Sequence, residues 1–216
     1  MATNLIDLAK NILGSEVMHR ISSELGENPD HVEKAIGAGI PSILAGLLKM
    51  LSSSGANRLS EILKHQPSEL SHMGGLDGVL GNLGSLFGGG SLDGLMKYGQ
   101  TLLNSLFGGN LSSIMDVITK SSGIKASSAG SLLSMLAPLL MGLLRKETAA
   151  RGSSLASLTD LLMGQKDAIA KAAPAGLASA LGLKSLDDLG SAVDSIKLAG
   201  TGVAREAGRT AVGAAR

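Results

Sequence analysis

The chain has 216 residues, of which 44% are hydrophobic and only 17% are charged, with a formal net charge of +1 and no cysteine. Ordinary globular chains carry about 25% charged residues, so this composition excludes a charged, disordered chain. The absence of cysteine excludes a disulfide scaffold, a thiolate nucleophile and a Cys-ligated metal site. The near-zero net charge also argues against a strongly basic nucleic-acid binder.

The N-terminal part of the chain has helical periodicity. Apolar residues recur at helical spacing from Leu5 through Leu8 to Ile12. The sequence Asn28-Pro29-Asp30 combines an N-cap residue, a first-turn proline and a favourable acid, and Gly26 is typical of a helix C-terminus. Because no run alternates as a half-buried strand does, we predict an all-α fold of about a dozen short helices with no β-sheet.

An internal repeat organises the chain. Gly26 and Pro41 recur 97 positions later as Gly123 and Pro138, and a similar apolar stretch follows each proline. We therefore predict an internally duplicated four-helix unit, with each proline starting or kinking a central apolar helix. A helix that is apolar nearly all round belongs in the core. The predicted units are residues 1–73 and residues 111–190.

The apolar stretches resemble a known family. Ile40-Pro41-Ser-Ile-Leu-Ala-Gly46-Leu and Leu136-Ala-Pro138-Leu-Leu-Met-Gly142-Leu-Leu are similar to the two halves of a bacterial domain of unknown function to which the YidB-like proteins belong. The similarity continues through Gln165-Lys-Asp-Ala-Ile and covers roughly residues 5 to 185. The resemblance implies an all-α fold and implies no activity.

A glycine-rich connector, residues 74–110, separates the two units. Its sequence Leu76-Asp-Gly…Ser85-Leu-Phe87-Gly-Gly is echoed by Leu92-Asp-Gly…Ser105-Leu-Phe107-Gly-Gly. A flexible linker is one interpretation. The spacing of the leucines favours two short amphipathic helices, 76–87 and 92–107, ended by glycines.

The C-terminal tail, residues 191–216, is rich in Ala, Gly and Arg. Its small residues are spaced as they are in closely packed helices, although a disordered terminus explains the same composition. Arg205 and Arg209 are its candidate contact residues.

No constellation of residues in the sequence calls for catalysis. His65, Glu69 and His72 form the only cluster worth mutating, but the intervening proline breaks any helical ligand spacing, and surface histidines are far commoner than metal ligands. We predict no catalytic, cofactor-binding or metal-binding residue, no small-molecule substrate, and no enzyme activity. We also expect no nucleic-acid binding, because the helices after the repeated prolines lack polar residues for base contacts.

The surface suggests self-association. Residues 1–110 carry 7 basic and 10 acidic side chains, and residues 111–216 carry 12 and 8, so opposite charges could pair head-to-tail between copies or equally within one chain. The first hypothesis is a self-associating structural subunit of a homo-oligomer or filament. The alternative is a peripheral membrane or cell-envelope protein that uses the glycine-rich segments and the basic tail. The candidate structural or interface residues are Pro41, Gly46, Phe87, Phe107, Pro138, Gly142, Arg205 and Arg209.

Apolar run length bears on location. The longest runs, Ala35–Leu48 and Leu132–Leu144, fall short of the ~20 residues that span a bilayer, and each contains proline. The first residues lack the basic n-region of a signal peptide. A cytoplasmic protein is therefore expected, with envelope association left open.

Overall fold

The computed structural model describes residues 4–52, 91–152, 155–186 and 188. Every regular element within these ranges is a helix, which confirms the all-α prediction for this part of the chain. In chain order the elements are α1 (Leu5–Ile12), α2 (Ser15–Leu25), α3 (Pro29–Ser52), α4 (Ser91–Phe107), a short 3-10 turn (Gly108–Asn110), α5 (Leu111–Ser122), α6 (Ala126–Ala149), α7 (Leu155–Met163), α8 (Lys166–Ala172) and α9 (Leu177–Ala180).

Two long helices, α3 and α6, form the centre of the fold. Each has 24 residues, and their first and last residues lie 97 positions apart, the separation seen in the sequence. They contact each other where the side chains of Leu133 and Leu136 lie over Gly39. Most residues of both helices are buried, so their apolar character on all sides is explained by their central position.

The prediction that prolines start these helices is wrong. Pro41 is the thirteenth residue of α3, and Pro138 is the thirteenth residue of α6. The helices begin earlier, because the first amides find acceptors there; Asn28 Oδ1 accepts from the Asp30 N–H at 2.9 Å. A proline inside a helix costs about 3 kcal/mol, and burial of the apolar residues around each proline offsets that cost.

Left-handed glycines end the helices before α3 and α6. Gly26 has φ 61° after α2, and Gly123 has φ 82° after α5. A side chain with a Cβ is strained at such angles. Gly26 therefore ends its helix as the sequence predicts, and Gly123 does the same in the second half.

The core is aliphatic. The described helices share one cluster of buried Leu, Ile, Val, Met and Ala, in which Phe107 is the buried aromatic residue and Tyr98 packs at the margin. The C-terminal part of the predicted connector contributes to this cluster, because residues 92–107 lie in α4, which packs along α6. The other predicted connector helix, 76–87, lies outside the described residues, as does the tail 191–216.

Helices α3 and α6 are each long and apolar enough to cross a membrane. Each exceeds the continuous apolar run that the sequence shows, because polar residues at their ends extend the helix. The most apolar windows of α3 and α6 are 83% and 72% buried inside the protein, as in the core helices of many soluble folds.

Candidate interaction surface

An open groove runs along the N-terminal half of α3. Its volume is about 520 Å³, and its uncharged lining residues are Leu13, Met18, Ile36 and Gly37, of which Leu13 and Ile36 are 3% and 2% exposed. A Cβ atom added at Gly37 would meet nothing within 4 Å. We call this cavity the Gly37 groove.

Charged residues line the rest of the Gly37 groove. Two cations, Lys10 and Lys34, and two anions, Asp30 and Glu33, contribute to its walls, and all four side chains are exposed. Their charges sum to zero, so the groove presents both positively and negatively charged side chains beside its uncharged residues.

Pro41 leaves the backbone carbonyl of Gly37 without a helical donor in this region. Because proline has no N–H, residue 41 cannot donate the helical hydrogen bond to the carbonyl of Gly37, four residues earlier. Gly37, which lines the groove, therefore has a backbone carbonyl without its usual helical N–H donor.

The corresponding position on α6 is covered. Pro138 likewise cannot donate to the carbonyl of Ser134. A Cβ atom added at Gly99 of α4 would overlap that carbonyl group. Ser134 is 1% exposed, whereas Gly37 is half-buried, so α4 fills on α6 the place that is open on α3.

Two predicted residues, one from the first unit and one from the connector, form a direct contact. The ring of Phe107 lies over Gly46 of α3, and a Cβ added there would come within 2.5 Å of Phe107 Cε1. Phe107 is 5% exposed. This pair locks the C-terminal end of α4 onto α3 and lies inside the protein rather than on its surface.

The other predicted residues fall in two groups. Pro41 and Pro138 are buried, and Gly142 is half-buried in α6. Three of the eight, Phe87, Arg205 and Arg209, lie outside the described residues, as does the cluster of His65, Glu69 and His72.

Glu27 joins the two halves at the start of α6. One carboxylate oxygen accepts from the Lys125 backbone N–H at 3.0 Å and from the Ser128 hydroxyl at 2.7 Å. These hydrogen bonds, with a minor contribution from the Lys125 charge, hold the pKa of Glu27 below its ordinary value. Lys125 is the N-cap of α6 and makes no side-chain cap hydrogen bond; Glu27 instead binds the backbone N–H of Lys125 and the hydroxyl of Ser128, the third residue of α6.

The C-terminal helices are fastened to the first half by two polar contacts. The side-chain oxygen of Gln165 accepts from the Leu5 N–H at 3.0 Å, and Gln165 is 3% exposed. The ammonium of Lys49 donates to the backbone carbonyl of Leu181. Residues beyond position 160 therefore contact both α1 and α3.

Several buried hydroxyl groups donate within their own helices, whereas the buried Tyr98 hydroxyl and Thr119 Oγ1 have no hydrogen-bond partner among the described residues. Ser42, Ser122, Ser134 and Thr148 each donate to the carbonyl four residues earlier, at 2.6–2.8 Å. Burial raises the pKa of Tyr98, which keeps that hydroxyl protonated near neutral pH. Within the described ranges no group of three or more His, Asp or Glu side chains could hold a metal ion.

Comparison with known proteins decides the family. The model of the family described as "Bacterial protein of unknown function (DUF937)" matches residues 7–147. The chain belongs to this family. No curated protein and no solved structure matches it.

Within this DUF937 protein, the sequence did not single out Gly99, Gly37 or Glu27, and it named Gln165 only as part of the family resemblance. Gly37 and Ser134 could have been found, because each lies four residues before a repeated proline and loses a helical donor. Gly99 has no comparable signal, since its importance depends on which helix it meets. Glu27 and Gln165 accept hydrogen bonds from residues 98 and 160 positions away in the sequence. A local sequence pattern does not predict contacts between residues so far apart.

Proposed function

We propose that this DUF937 protein is a non-enzymatic, self-associating helical protein, a structural subunit of a homo-oligomer or filament. The observation that carries the proposal is the Gly37 groove, because the corresponding face of α6 is covered by α4 while this face of α3 is open. Concave sites that combine apolar residues with a few polar groups are typical binding sites.

We also propose that the two halves are copies of one helical unit. In support, α3 and α6 have equal lengths, place proline at the same position and follow a left-handed glycine. The turn residues of the two halves meet, since Glu27 bonds to residues at the start of α6, and His31 packs against Gly123. In a duplicated unit, a site filled in one copy and open in the other is a natural attachment point.

The absence of an enzymatic role is supported by the side-chain chemistry described above. Four buried hydroxyls donate to backbone carbonyls, that of Ser128 donates to Glu27, and none of these five contacts a histidine in the hydrogen bonds described. A nucleophilic serine needs an adjacent general base within hydrogen-bond reach.

Charge supports a head-to-tail arrangement. Residues 1–110 carry an excess of acidic side chains and residues 111–216 an excess of basic ones. If the rotation between neighbours does not close, such contacts build an open filament. The mixed charges around the Gly37 groove allow pairing with either half.

The native mass in solution tests this function. We expect light scattering to give particles larger than one chain at tens of micromolar, and increasing salt to shift them toward the monomer, because exposed ion pairs are screened. A single species of 21.7 kDa at that concentration would rule out self-association. If the particle size does not change with salt, self-association stands and the electrostatic contribution to it is rejected.

Membrane attachment is the second candidate function. Helices α3 and α6 meet the length and composition of membrane spans, although most of their surface is buried within the fold. Flotation with liposomes of zwitterionic and of anionic lipid tests this alternative. If the chain stays at the bottom of the gradient with both lipids, the membrane candidate is rejected.

A further inference from the structure

Helix α1 has unfilled space on two sides. On one side lies the Gly37 groove, to which Lys10 and Leu13 contribute. On the other side a narrow crevice with a free volume of about 10 Å³ lies between α1 and α6, and its lining is wholly apolar: Ala9, Ile12, Leu13, Leu136, Leu139, Leu140 and Leu143. Side chains that line such spaces lose packing contacts on that side. Helix α1 is therefore held to the core by incomplete packing.

The matching end of α4 is packed more closely. The buried residues of α1 have buried counterparts 97 positions later in α4, which pair Leu5 with Leu102, Ile6 with Leu103 and Ala9 with Leu106. The residue 97 positions after Lys10 is Phe107, whose ring lies over Gly46 of α3, whereas Lys10 is exposed. Helix α1 thus lacks the aromatic side chain that fixes the end of α4.

The link between α1 and α2 consists of Leu13 and Gly14 alone. Gly14 is the N-cap of α2, has an extended ψ of 170° and supplies no side-chain cap. A break of this kind leaves the last carbonyls of one helix and the first amides of the next without intrahelical partners. If Gly14 became helical, a single helix from Leu5 to Leu25 would pair these groups with each other.

The apolar residues of α1 and α2 would share one face of that longer helix. Ile6, Ala9, Leu13 and Ile21 are 2–4% exposed, and together with Val17 they are spaced three or four residues apart, as on one side of a helix. At 1.5 Å per residue the longer helix would extend ~32 Å. It would carry α1 away from its own α6 and leave the apolar side of α1 to pack on another chain.

We propose that α1 is exchanged between copies of the chain. The link at Gly14 opens, and α1 packs on α3 and α6 of a second copy in the place of that copy's own α1. The inference rests on the proposed self-association and names its contact. The exchanged α1 makes the same core contacts as α1 within one chain, and the continuous helix adds the hydrogen bonds that the break leaves out.

Exchange of α1 builds a heterologous contact. Each copy gives its α1 to one neighbour and receives α1 from another, so the contacts form a ring or propagate along a row of copies. Lys10 and Leu13 of the neighbour then line the Gly37 groove, which places the groove at the contact between copies.

Cross-linking tests the exchange, because the chain has no native cysteine and the exposed residues Lys10 and Lys34 line the same groove. Full-length Lys10→Cys and full-length Lys34→Cys are unfolded together, refolded as a mixture and treated with a short bis-maleimide, and each variant alone is the control. We expect the mixture to give a covalent dimer in at least tenfold higher yield than either variant alone. We expect the double variant to give a ladder of cross-linked chains.

Two other outcomes would overturn the inference, and they differ in what they say about the proposed function. If the double variant links only within one chain while light scattering still shows assembly, α1 stays in its own chain and another surface carries the self-association. If the wild-type chain stays monomeric and the double variant links only within one chain, both the exchange and the proposed function are rejected.

A substitution at the link gives an independent measurement. A Cβ added at Gly14 would meet only the carbonyl oxygen of Asn11, at 3.7 Å, so Gly14→Ala fits the unexchanged chain. Alanine favours a continuous helix over glycine, and we expect Gly14→Ala to shift the balance toward the exchanged form roughly fivefold. Gly94→Ala is the matched control, because it brings the same helix preference to an open position of α4 and should leave assembly at the wild-type level. Equal assembly of Gly14→Ala and the wild type would contradict the exchange.

Discussion

Gly99 of α4 packs on the backbone carbonyl of Ser134, the carbonyl that Pro138 leaves without its helical donor. Two residues that are each unfavourable inside a helix thus complement each other. The proline frees an acceptor, and the glycine lets a neighbouring helix cover it closely, at a distance where Cα–H groups also contribute weak hydrogen bonds.

This contact predicts opposite effects for two glycines of the same helix. Gly99→Ala should lower the free energy of unfolding by about 1–3 kcal/mol, because the new methyl group overlaps backbone atoms that cannot move aside. Gly94→Ala should raise the free energy of unfolding by roughly 0.5–1 kcal/mol, since Gly94 has open space around it and alanine favours a helix. Urea denaturation measures both. Equal effects of the two substitutions would contradict the close approach of α4 to α6.

The pair of Gly46 and Phe107 predicts strong coupling. Phe107→Ala should cost about 3–5 kcal/mol as a core truncation, and Gly46→Ala about 1–3 kcal/mol through overlap with the ring. The combination of Gly46→Ala with Phe107→Leu should cost less than the sum of the two single changes, because the smaller side chain leaves room for the methyl group. Thermal and urea unfolding of the four proteins form the double-mutant cycle. Gly37→Ala in the same helix is the control for stability, and strict additivity would reject the contact.

The carboxylate of Glu27 predicts a pH-dependent contribution to stability. Its pKa is lowered in the folded protein, so it stabilises the fold above the ordinary value of 4.5, and this contribution is lost as pH falls through the folded-state pKa. Glu27→Ala should therefore reduce stability at neutral pH, by less than about 1 kcal/mol for this largely solvated group, and should match the wild type in strong acid.

A second substitution checks whether Glu27 acts as a cap. Lys125→Asn would give α6 an N-cap side chain of the type that Asn28 gives α3. Added to Glu27→Ala, it should offset the lost stability at neutral pH by accepting from a first-turn amide that Glu27 does not contact. If stability is unchanged by Glu27→Ala at every pH, the capping role is wrong.

The buried contact of Gln165 with the Leu5 amide predicts a cost for its removal. Gln165→Leu leaves a buried N–H without its acceptor, which typically costs about 1–3 kcal/mol. Gln165→Glu retains an acceptor oxygen and should cost less at neutral pH. Hydrogen exchange of the Leu5 amide should accelerate in the leucine variant alone. Unchanged exchange there would mean that the amide is protected by other means.

The helical class and the central helices were predictable because their signals are local. Apolar periodicity, the Asn28-Pro29-Asp30 start and the Gly26 end each act within a few residues. The prediction that Pro41 and Pro138 start their helices was wrong because an interior proline is costly in an isolated helix, and burial of the surrounding residues offsets that cost.

The candidate site was predictable only in part. Gly46 and Phe107 were identified from repeated patterns, but their mutual contact depends on how α4 crosses α3. The Gly37 groove is open because α4 covers one face of α6 but not the corresponding face of α3, although the sequences of the two helices are similar. That difference arises from tertiary packing, which periodicity does not encode.

The hydrogen bond between Leu5 and Gln165 has a practical meaning for the family boundary. The family match stops at residue 147, yet the partners of the Leu5 amide and the Lys49 ammonium belong to Gln165 and Leu181. A chain shortened to end where the match stops would expose α1 and part of α3. A fragment that keeps both contacts must therefore reach at least residue 181.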